Sequence, residues 1–508
     1  MNVLLINSYF DKNTSGCKPI PVSLGYLHAS VRDLCEVEIF QVFKDEHEAL
    51  IHKLITGKFD IIGLSAYDSI AHRVLETAKL IKRVSPDSYI VLGGPFATFA
   101  HEFILNNYKE IDFAVIGEGE KCLPELLNLI KNGKLCDIKQ VPGLAYRIGK
   151  NIYYNEPVEI NLDEIPLPSW DILLNEEILS ADDGLSVLIC PSRGCAGACT
   201  FCSMKSQHGN SVRFRSLDNI KAEINLLANI YNISSLYFME ADFFANKKRA
   251  AELLNMIKSL DKRIRFGITT RVDSFLKCAD LLDGLFECGC RSVELGIESA
   301  SDTQLARYRK KTTSAMNAQA VDIIESYKKI YHDLLIGYDF IPFDPYCTVS
   351  ELKENIDFIF KANLLNISNE SIFYNKINLF QGTKLRELAL KDGLAFSAHE
   401  NTYYDFAEEK TADIYKYIFA YEQCLQKKLD KITGLFSKIN DSGLPASKSG
   451  TKENAKIYKA YLKRTKINFK YFKDIIYSEG NPDICSGIFE KYKNEIDAMY
   501  SYLSGLCN

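Results

Sequence analysis

Residues Cys195-Ala196-Gly197-Ala198-Cys199-Thr200-Phe201-Cys202 place three thiols on one short stretch around a glycine. The C-x3-C-x2-C spacing lets three thiolates face a single centre. Three ligands suit an iron–sulfur cluster that leaves one iron open to a further molecule, whereas a structural zinc is normally closed by four. In a zinc reading His208 supplies the fourth ligand, at a spacing that fits no ordinary finger. The plainer alternative is three core cysteines. The chain holds 15 cysteines in all, an odd number in a large protein that opens without a leader-like segment, so no disulfide framework is expected. Cys122, Cys278 and Cys424 fall in helix-like patterns and read as core.

A cysteine cluster needs elements to hold it, and residues 186–395 alternate strand and helix. Strand-like runs are Ser186–Cys190, Ser235–Met239, Arg265–Thr269, Ser292–Gly296, Leu334–Phe340 and Phe373–Leu379. Six such runs predict a partial or full parallel barrel, whose chemistry lies at the carboxyl ends of its strands. Acids and glycines stand at those ends: Glu240 and Asp242 after the second, Arg271 and Asp273 after the third, and Gly296-Ile297-Glu298-Ser299 at the fourth. Each of these carboxylates taken singly fits a solvated rim position as well as a ligand role.

An earlier alternation fills residues 1–150. Strands are expected at Asn2–Asn7, Glu36–Val42, Asp60–Ala66, Tyr89–Leu92 and Asp112–Ile116, with helices between them as at Ile70–Val84. Apolar strands separated by helices predict a doubly wound parallel sheet, with ligands outside the strands' carboxyl ends. The glycine turns Gly93-Gly94-Pro95 and Gly117-Glu118-Gly119 stand there. Residues 151–185, with Pro166 and Pro168 beside the lone Trp170, read as a linker. Residues 396–508 are rich in Lys, Tyr and Phe at helical spacing and predict an α-helical C-terminal domain, with a polar loop at Ser442–Gly450.

The three cysteines, with Phe201 before the last, resemble the signature of the radical S-adenosylmethionine (SAM) superfamily. The resemblance implies a 4Fe–4S cluster held by Cys195, Cys199 and Cys202, and SAM chelating the open iron. Its reductive cleavage gives a 5′-deoxyadenosyl radical, the hard chemistry belonging to the cofactor. Phe238–Phe243 resembles the segment that receives the SAM amino group, through Glu240 or Asp242. Arg271, Gly296, Glu298 and Ser299 resemble further cofactor contacts. Gly337–Pro345 and Gln381-Gly382-Thr383 resemble the fifth and sixth strand ends.

The first 150 residues resemble the cobalamin-binding domain fused ahead of many radical SAM enzymes. Leu24-Gly25-Tyr26, Asp60 through Ser65, Gly93-Gly94 and Gly117-Glu118-Gly119 carry that resemblance. Glycine permits close backbone approach to a corrin, and free amides at a helix start suit its phosphate. The Asp-x-His-x-x-Gly cobalt-ligand motif is not matched: Asp45-Glu46-His47 is followed by Leu50, so cobalamin is expected without a histidine lower ligand. Phe96 stands where relatives often have histidine after Gly-Gly-Pro, and packing on the corrin is expected of it.

The fold class expected is therefore α/β: a doubly wound cobalamin-binding sheet, a partial (β/α)6 radical SAM barrel, then a helical domain. The resemblance implies a cobalamin-dependent methyltransferase of unactivated carbon, working through the deoxyadenosyl radical and methylcobalamin. The same cofactors also serve cyclisation, ring contraction or oxidation without methyl transfer. A zinc-binding, non-enzymatic protein is the reading from another class. A methylthiotransferase is disfavoured, because Cys17, Cys35 and Cys122 make no N-terminal three-cysteine cluster. The expected partners are a small-molecule or peptide substrate and a reductant such as flavodoxin or ferredoxin. The net charge of −5 gives no footprint for nucleic acid. No apolar run reaches membrane-spanning length, and a cytoplasmic location is expected.

Overall fold

The computed structural model describes residues 1–8, 20–43, 46–180, 186–209, 211–364, 376–398, 401–440 and 452–506. Strands β1 (Asn2–Ser8), β2 (Glu36–Val42), β3 (Ile61–Ser65), β4 (Tyr89–Gly93) and β5 (Phe113–Val115) form a parallel sheet in the order β2-β1-β3-β4-β5. Successive residues of β1 point into opposite cores. Val3 and Leu5 pack with the helices Val22–Val31 and Gly119–Lys131, while Leu4 and Ile6 pack with the helices Ala71–Val84 and Pro95–Asn107. A strand buried on both faces has no polar side to alternate with, which is why these strands read as continuous apolar runs.

The sheet does not stop at β5. Strands β6 (Leu144–Ile148) and β7 (Asn151–Tyr154) continue it antiparallel, so it runs to Tyr154, into the stretch read as linker. The remaining linker is pinned to both domains. Ser169 N–H donates to the Gly25 carbonyl (3.1 Å), and the Trp170 indole N–H donates to Glu223 Oε1 (3.0 Å) in the barrel.

The second unit is a five-stranded, wholly parallel open barrel: β8 (Ser186–Ile189), β11 (Ser235–Phe238), β12 (Arg265–Arg271), β13 (Cys290–Glu298) and β14 (Leu335–Phe340), in the order β14-β13-β12-β11-β8. Between β8 and β11 a two-stranded antiparallel clip, β9 (Ser192–Arg193) with β10 (Arg213–Phe214), pinches the base of the cysteine loop. The sixth strand expected at Phe373–Leu379 lies partly outside the described residues, and its described part makes a single bridge, Lys376 to Phe343. Side-chain caps start several outer helices; Thr348 and Glu351 form a full capping box on the helix Val349–Lys361, an arrangement that satisfies two otherwise orphaned backbone donors.

The C-terminal region is helical: Glu409–Asn440, Lys452–Tyr477 and Pro482–Leu506, preceded by a hairpin of Ala395–Ala398 with Asn401–Tyr404. Lys473 ties the second of these helices to Asp357 on the outer face of the barrel (2.7 Å). The loop expected at Ser442–Gly450 lies outside the described residues, as do Cys17 and Asp45. Among the described residues no helix is long and apolar enough to cross a membrane.

Candidate active site

The cysteine loop leaves the clip through Gly194, at φ +92°, where a β-carbon would lie 2.4 Å from the Ser211 carbonyl oxygen. Only glycine fits that crossing of the loop's two arms. The far side of the loop is tied down at Thr200. Its N–H donates to the Tyr308 carbonyl (3.0 Å) and its carbonyl accepts from Leu385 N–H (2.8 Å), while its hydroxyl donates to the Arg307 carbonyl (2.9 Å). Phe201 meets Tyr308 edge to face. Cys195, Cys199 and Cys202 are thereby held half-buried on one loop, unpaired with other thiols. Burial pushes the thiols of Cys195 and Cys202 up, the cost of desolvating a thiolate before a metal compensates it.

Arg271, at the end of β12, reaches this loop rather than open space. Its Nη1 donates to Cys199 Sγ (3.2 Å), its Nε to Asp273 (2.9 Å) and its Nη2 to the Lys310 carbonyl (2.6 Å). Gly197 leaves room beneath it, since a β-carbon there would sit 2.8 Å from Arg271 Nη1 and displace the guanidinium. Lys310, 4 % exposed, pairs with Glu298 at 2.6 Å. Gly296 keeps that pair's place free: a β-carbon would fall 2.8 Å from the ammonium and 2.9 Å from the carboxylate. Glu298 is itself left-handed (φ +64°), as are Arg309 and Lys311 in the facing loop. Such strain persists only where surrounding contacts over-determine it, and it clusters at working sites.

Glu240 and Asp242, alternatives by sequence, differ in their surroundings. Asp242 is saturated: it accepts from Thr270 Oγ1 (2.9 Å), Ser274 Oγ (2.6 Å) and Arg271 N–H (3.3 Å). Glu240 accepts only from Ser192 Oγ (2.6 Å), and its buried Oε1 has no partner among the described residues. Burial raises the Glu240 carboxyl to about 7, against the opposing charge of Arg249 and the Ser192 hydrogen bond. An orphaned buried carboxylate oxygen is costly and marks where a cationic donor belongs. Ser299, by contrast, is fully buried and bonded within the protein to Gln304 and Asn355.

Tyr237, Thr269, Glu294 and Asp339 form a polar cluster across β11 to β14, with Thr269 and Glu294 directly paired. The Tyr237 hydroxyl lies 2.8 Å from Thr269 Oγ1 and 3.0 Å from Glu294 Oε2. Burial, then the charges of Glu298 and Glu294, hold the Asp339 carboxyl well above the usual carboxylate range. This polar layer was not singled out by sequence; alternating polar residues on β11 to β14 were its only signal.

In the first domain a pocket with about 480 Å³ of open space lies between the sheet ends and two helices. Six of the expected residues line it: Leu24, Ser65, Gly93, Gly94, Gly117 and Gly119. At Gly93 a β-carbon would meet nothing closer than 3.9 Å, so side chains there would project into open volume. Gly94 (φ +91°) lets the backbone pass Ala66, whose carbonyl oxygen would be 2.6 Å from a β-carbon. Two expected residues lie elsewhere. Gly25 packs against Leu173 and Pro168 of the linker, and Glu118 turns toward the barrel. Phe96 does not face the pocket: it is fully buried in the opposite core, which corrects the expectation that it packs on a corrin. His47 is an exposed first residue of the helix His47–Gly57, while Leu50 is core.

Family models match in the same two places. A B12 binding domain covers residues 12–127 and the Radical SAM superfamily covers residues 189–359. An uncharacterized methyltransferase of Pyrococcus horikoshii is 30% identical over 400 residues, covering 77% of this chain and 83% of its own. The chain belongs to the cobalamin-dependent radical SAM enzymes. An anaerobic magnesium-protoporphyrin IX monomethyl ester cyclase of Rubrivivax gelatinosus is 28% identical over 278 residues, 54% of this chain and 50% of that one. The chain thus spans about half the length of that relative. In fold it resembles the cobalamin-dependent SAM radical enzyme OxsB (TM-score 0.79, 19% identity, 99% of this chain and 80% of that one). It also resembles the radical SAM methyltransferase TsrM of Kitasatospora setae (TM-score 0.58, 21% identity, 71% of each chain).

The cofactors of this family are a 4Fe–4S cluster, SAM and cobalamin, and the residues present suit them. The loop carries three thiols; His208, the sequence's candidate for a fourth ligand, holds Glu118 through its Nδ1 (3.2 Å). Glu240 offers a bare carboxylate oxygen beside the cluster's barrel, and the first domain offers a glycine-lined pocket.

Proposed function

We propose that this cobalamin-dependent radical SAM enzyme is a methyltransferase acting on an unactivated carbon of a small molecule or peptide. The observation that carries the reading is the Pyrococcus methyltransferase, matched over 83% of its length. When bound, the cofactors supply one-electron cleavage of SAM and a methyl-carrying cobalt centre. The protein's own residues do the rest. Cys195, Cys199 and Cys202 hold the cluster, and Arg271 orients it through Cys199. Glu240 receives the SAM ammonium, which replaces its missing hydrogen bond; Asp242, already saturated, holds Thr270, Ser274 and Arg271 in place. Gly93, Gly94, Gly117 and Gly119 admit the corrin's tail between sheet and helices. The polar layer of Tyr237, Thr269, Glu294 and Asp339 gives the substrate side of the barrel hydrogen-bonding groups that hold it against the reacting atoms. A small acidic one-electron carrier such as flavodoxin or ferredoxin is the proposed reductant, and the cytoplasm the proposed location.

A second reading keeps these cofactors without methyl transfer. The cyclase relative supports it, as does a 4′-phospho-dehydrooxetanocin synthase of Priestia megaterium, 27% identical over 380 residues. The test is a product count. Reconstituted protein is incubated without oxygen with SAM, a reductant and a panel of small-molecule and peptide substrates. Methyl transfer releases S-adenosylhomocysteine and 5′-deoxyadenosine together and adds a methyl mass to the product. Deoxyadenosine with an unmethylated product refutes methyl transfer in favour of the second reading.

A further inference from the structure

Glu118 sits between the two pocket-lining glycines Gly117 and Gly119, yet its side chain crosses to the other domain. Both carboxylate oxygens are engaged by Arg213, from Nη1 at 2.9 Å and from Nη2. Arg193 Nη1 lies 3.3 Å away and His208 Nδ1 3.2 Å away. Two residues on, Glu120 takes the other Arg193 nitrogen at 2.5 Å. All five side chains are at most 14% exposed. Burial alone would raise the Glu118 carboxyl; the hydrogen bonds from His208 and Arg213 and the charge of Arg193 hold it far below the ordinary range.

The three residues that meet these carboxylates, Arg193, Arg213 and His208, belong to the two arms of the cysteine loop. Arg193 and Arg213 are direct cross-strand partners in the β9–β10 clip that closes it, and Arg193 is two residues from Cys195. His208 ends the short helix Met204–His208 that follows Cys202. Like charges placed directly opposite on paired strands repel, and here one carboxylate lies against both guanidiniums. That carboxylate comes from the cobalamin domain. Removing one partner from a buried ion network leaves uncompensated charge and costs far more than the net worth of the network. The geometry of the cluster loop therefore depends on where the Gly117–Gly119 turn stands.

We propose that Glu118 is a positioning residue that couples the two cofactor sites: seating of cobalamin against the Gly117–Gly119 turn and closure of the cysteine loop stabilise one another through its ion pairs with Arg193 and Arg213. The proposal rests on the family's cofactors and is independent of whether the reaction transfers methyl. Coupling between sites is reciprocal, so it is measurable as a ratio. Hydroxocobalamin affinity is measured by visible absorbance, without oxygen, for full-length protein with its cluster reconstituted and for cluster-free protein. In the wild type the cluster-loaded form binds more tightly, by roughly fivefold or more. In Glu118→Gln, which keeps the shape but loses the charge, the ratio falls to near one. Glu118→Asp, which keeps the charge on a shorter arm, gives an intermediate ratio. Circular dichroism melting of each variant separates lost coupling from lost fold.

A merely structural role would weaken binding in both forms alike and leave the ratio intact; that result overturns the proposal. So does a wild-type ratio near one, which needs no variant to fold. Failure of the wild type to take up hydroxocobalamin in either form would instead overturn the cobalamin assignment beneath it.

Discussion

Replacing Glu240 with glutamine exposes a trade between stability and cofactor binding. Held at about 7 instead of its ordinary 4.5, the carboxyl keeps a proton in the folded chain that the unfolded chain has released between those two values. Stability therefore falls as pH rises through that window, and the folded chain at pH 8 is about 2–3 kcal/mol worse off at this residue than at pH 5. Glu240→Gln cannot ionise. Its amide leaves an N–H group unpartnered, at a cost of about 1–3 kcal/mol that does not change with pH. The readout is thus the difference between the two pH values, in which that constant cancels together with the titrating groups that Glu240 does not touch. Trp170 is the sole tryptophan, 1% exposed, and bonded to Glu223, so its fluorescence reports the seam between linker and barrel. Denaturant unfolding of cluster-free protein followed by that signal shows wild-type stability dropping between pH 5 and pH 8 by about 2–3 kcal/mol more than that of Glu240→Gln. SAM affinity moves the other way. Losing a charge-assisted bond to the ammonium weakens binding by about 1.5–3 kcal/mol, roughly 10- to 150-fold in Kd. Equal pH slopes would refute the buried-charge argument, and unchanged SAM affinity would refute the assignment of Glu240 over Asp242.

Four further outcomes are expected. Gly93→Leu fills open pocket volume without a backbone clash, so cobalamin retention falls at least about tenfold while melting is nearly unchanged; Gly94→Ala, left-handed and pressed on Ala66, instead loses roughly 1–3 kcal/mol of stability. Arg271→Met removes the N–H···S bond to Cys199 and a positive charge, so the cluster's midpoint potential falls in a redox titration followed by electron paramagnetic resonance; an unchanged potential would show that Arg271 does not tune the cluster. Changing any one of Cys195, Cys199 or Cys202 to alanine abolishes cluster absorbance and deoxyadenosine release, and persistence of either would remove that residue from the ligand set.

The parallel strands were legible because burial on both faces leaves an uninterrupted apolar run: β2 is matched end to end, and β1, β3, β4 and β5 within a residue or so. The β6–β7 hairpin escaped because its strands are short and half-exposed, with Ile148, Tyr153 and Tyr154 open to solvent. The cysteine motif was legible because its ligands are contiguous. What spacing along the chain does not show is the partner that satisfies a side chain. Glu240 and Asp242 stand two residues apart with the same chemistry, and only the three donors gathered on Asp242 distinguish them. Gly25 and Glu118 sit in the expected glycine turns but spend themselves on the linker and the barrel. Phe96, placed by analogy against a ligand, points the other way because its helix turns it into the core.

The linker's attachments bear on how such chains can be recombined. Residues 160–174 are shared property: Ser169 is bonded to the first domain through Gly25 and His28, Arg32 pairs with Asp171 (2.9 Å), and Trp170 is sunk in the barrel against Glu223. A crossover placed anywhere in this segment would separate a donor from its acceptor on one side or the other. A chimera that borrows a foreign cobalamin domain must therefore carry Tyr26, Gly25 and the whole of 160–174 with matching neighbours. The two halves of this enzyme are therefore exchangeable only together with the segment that joins them.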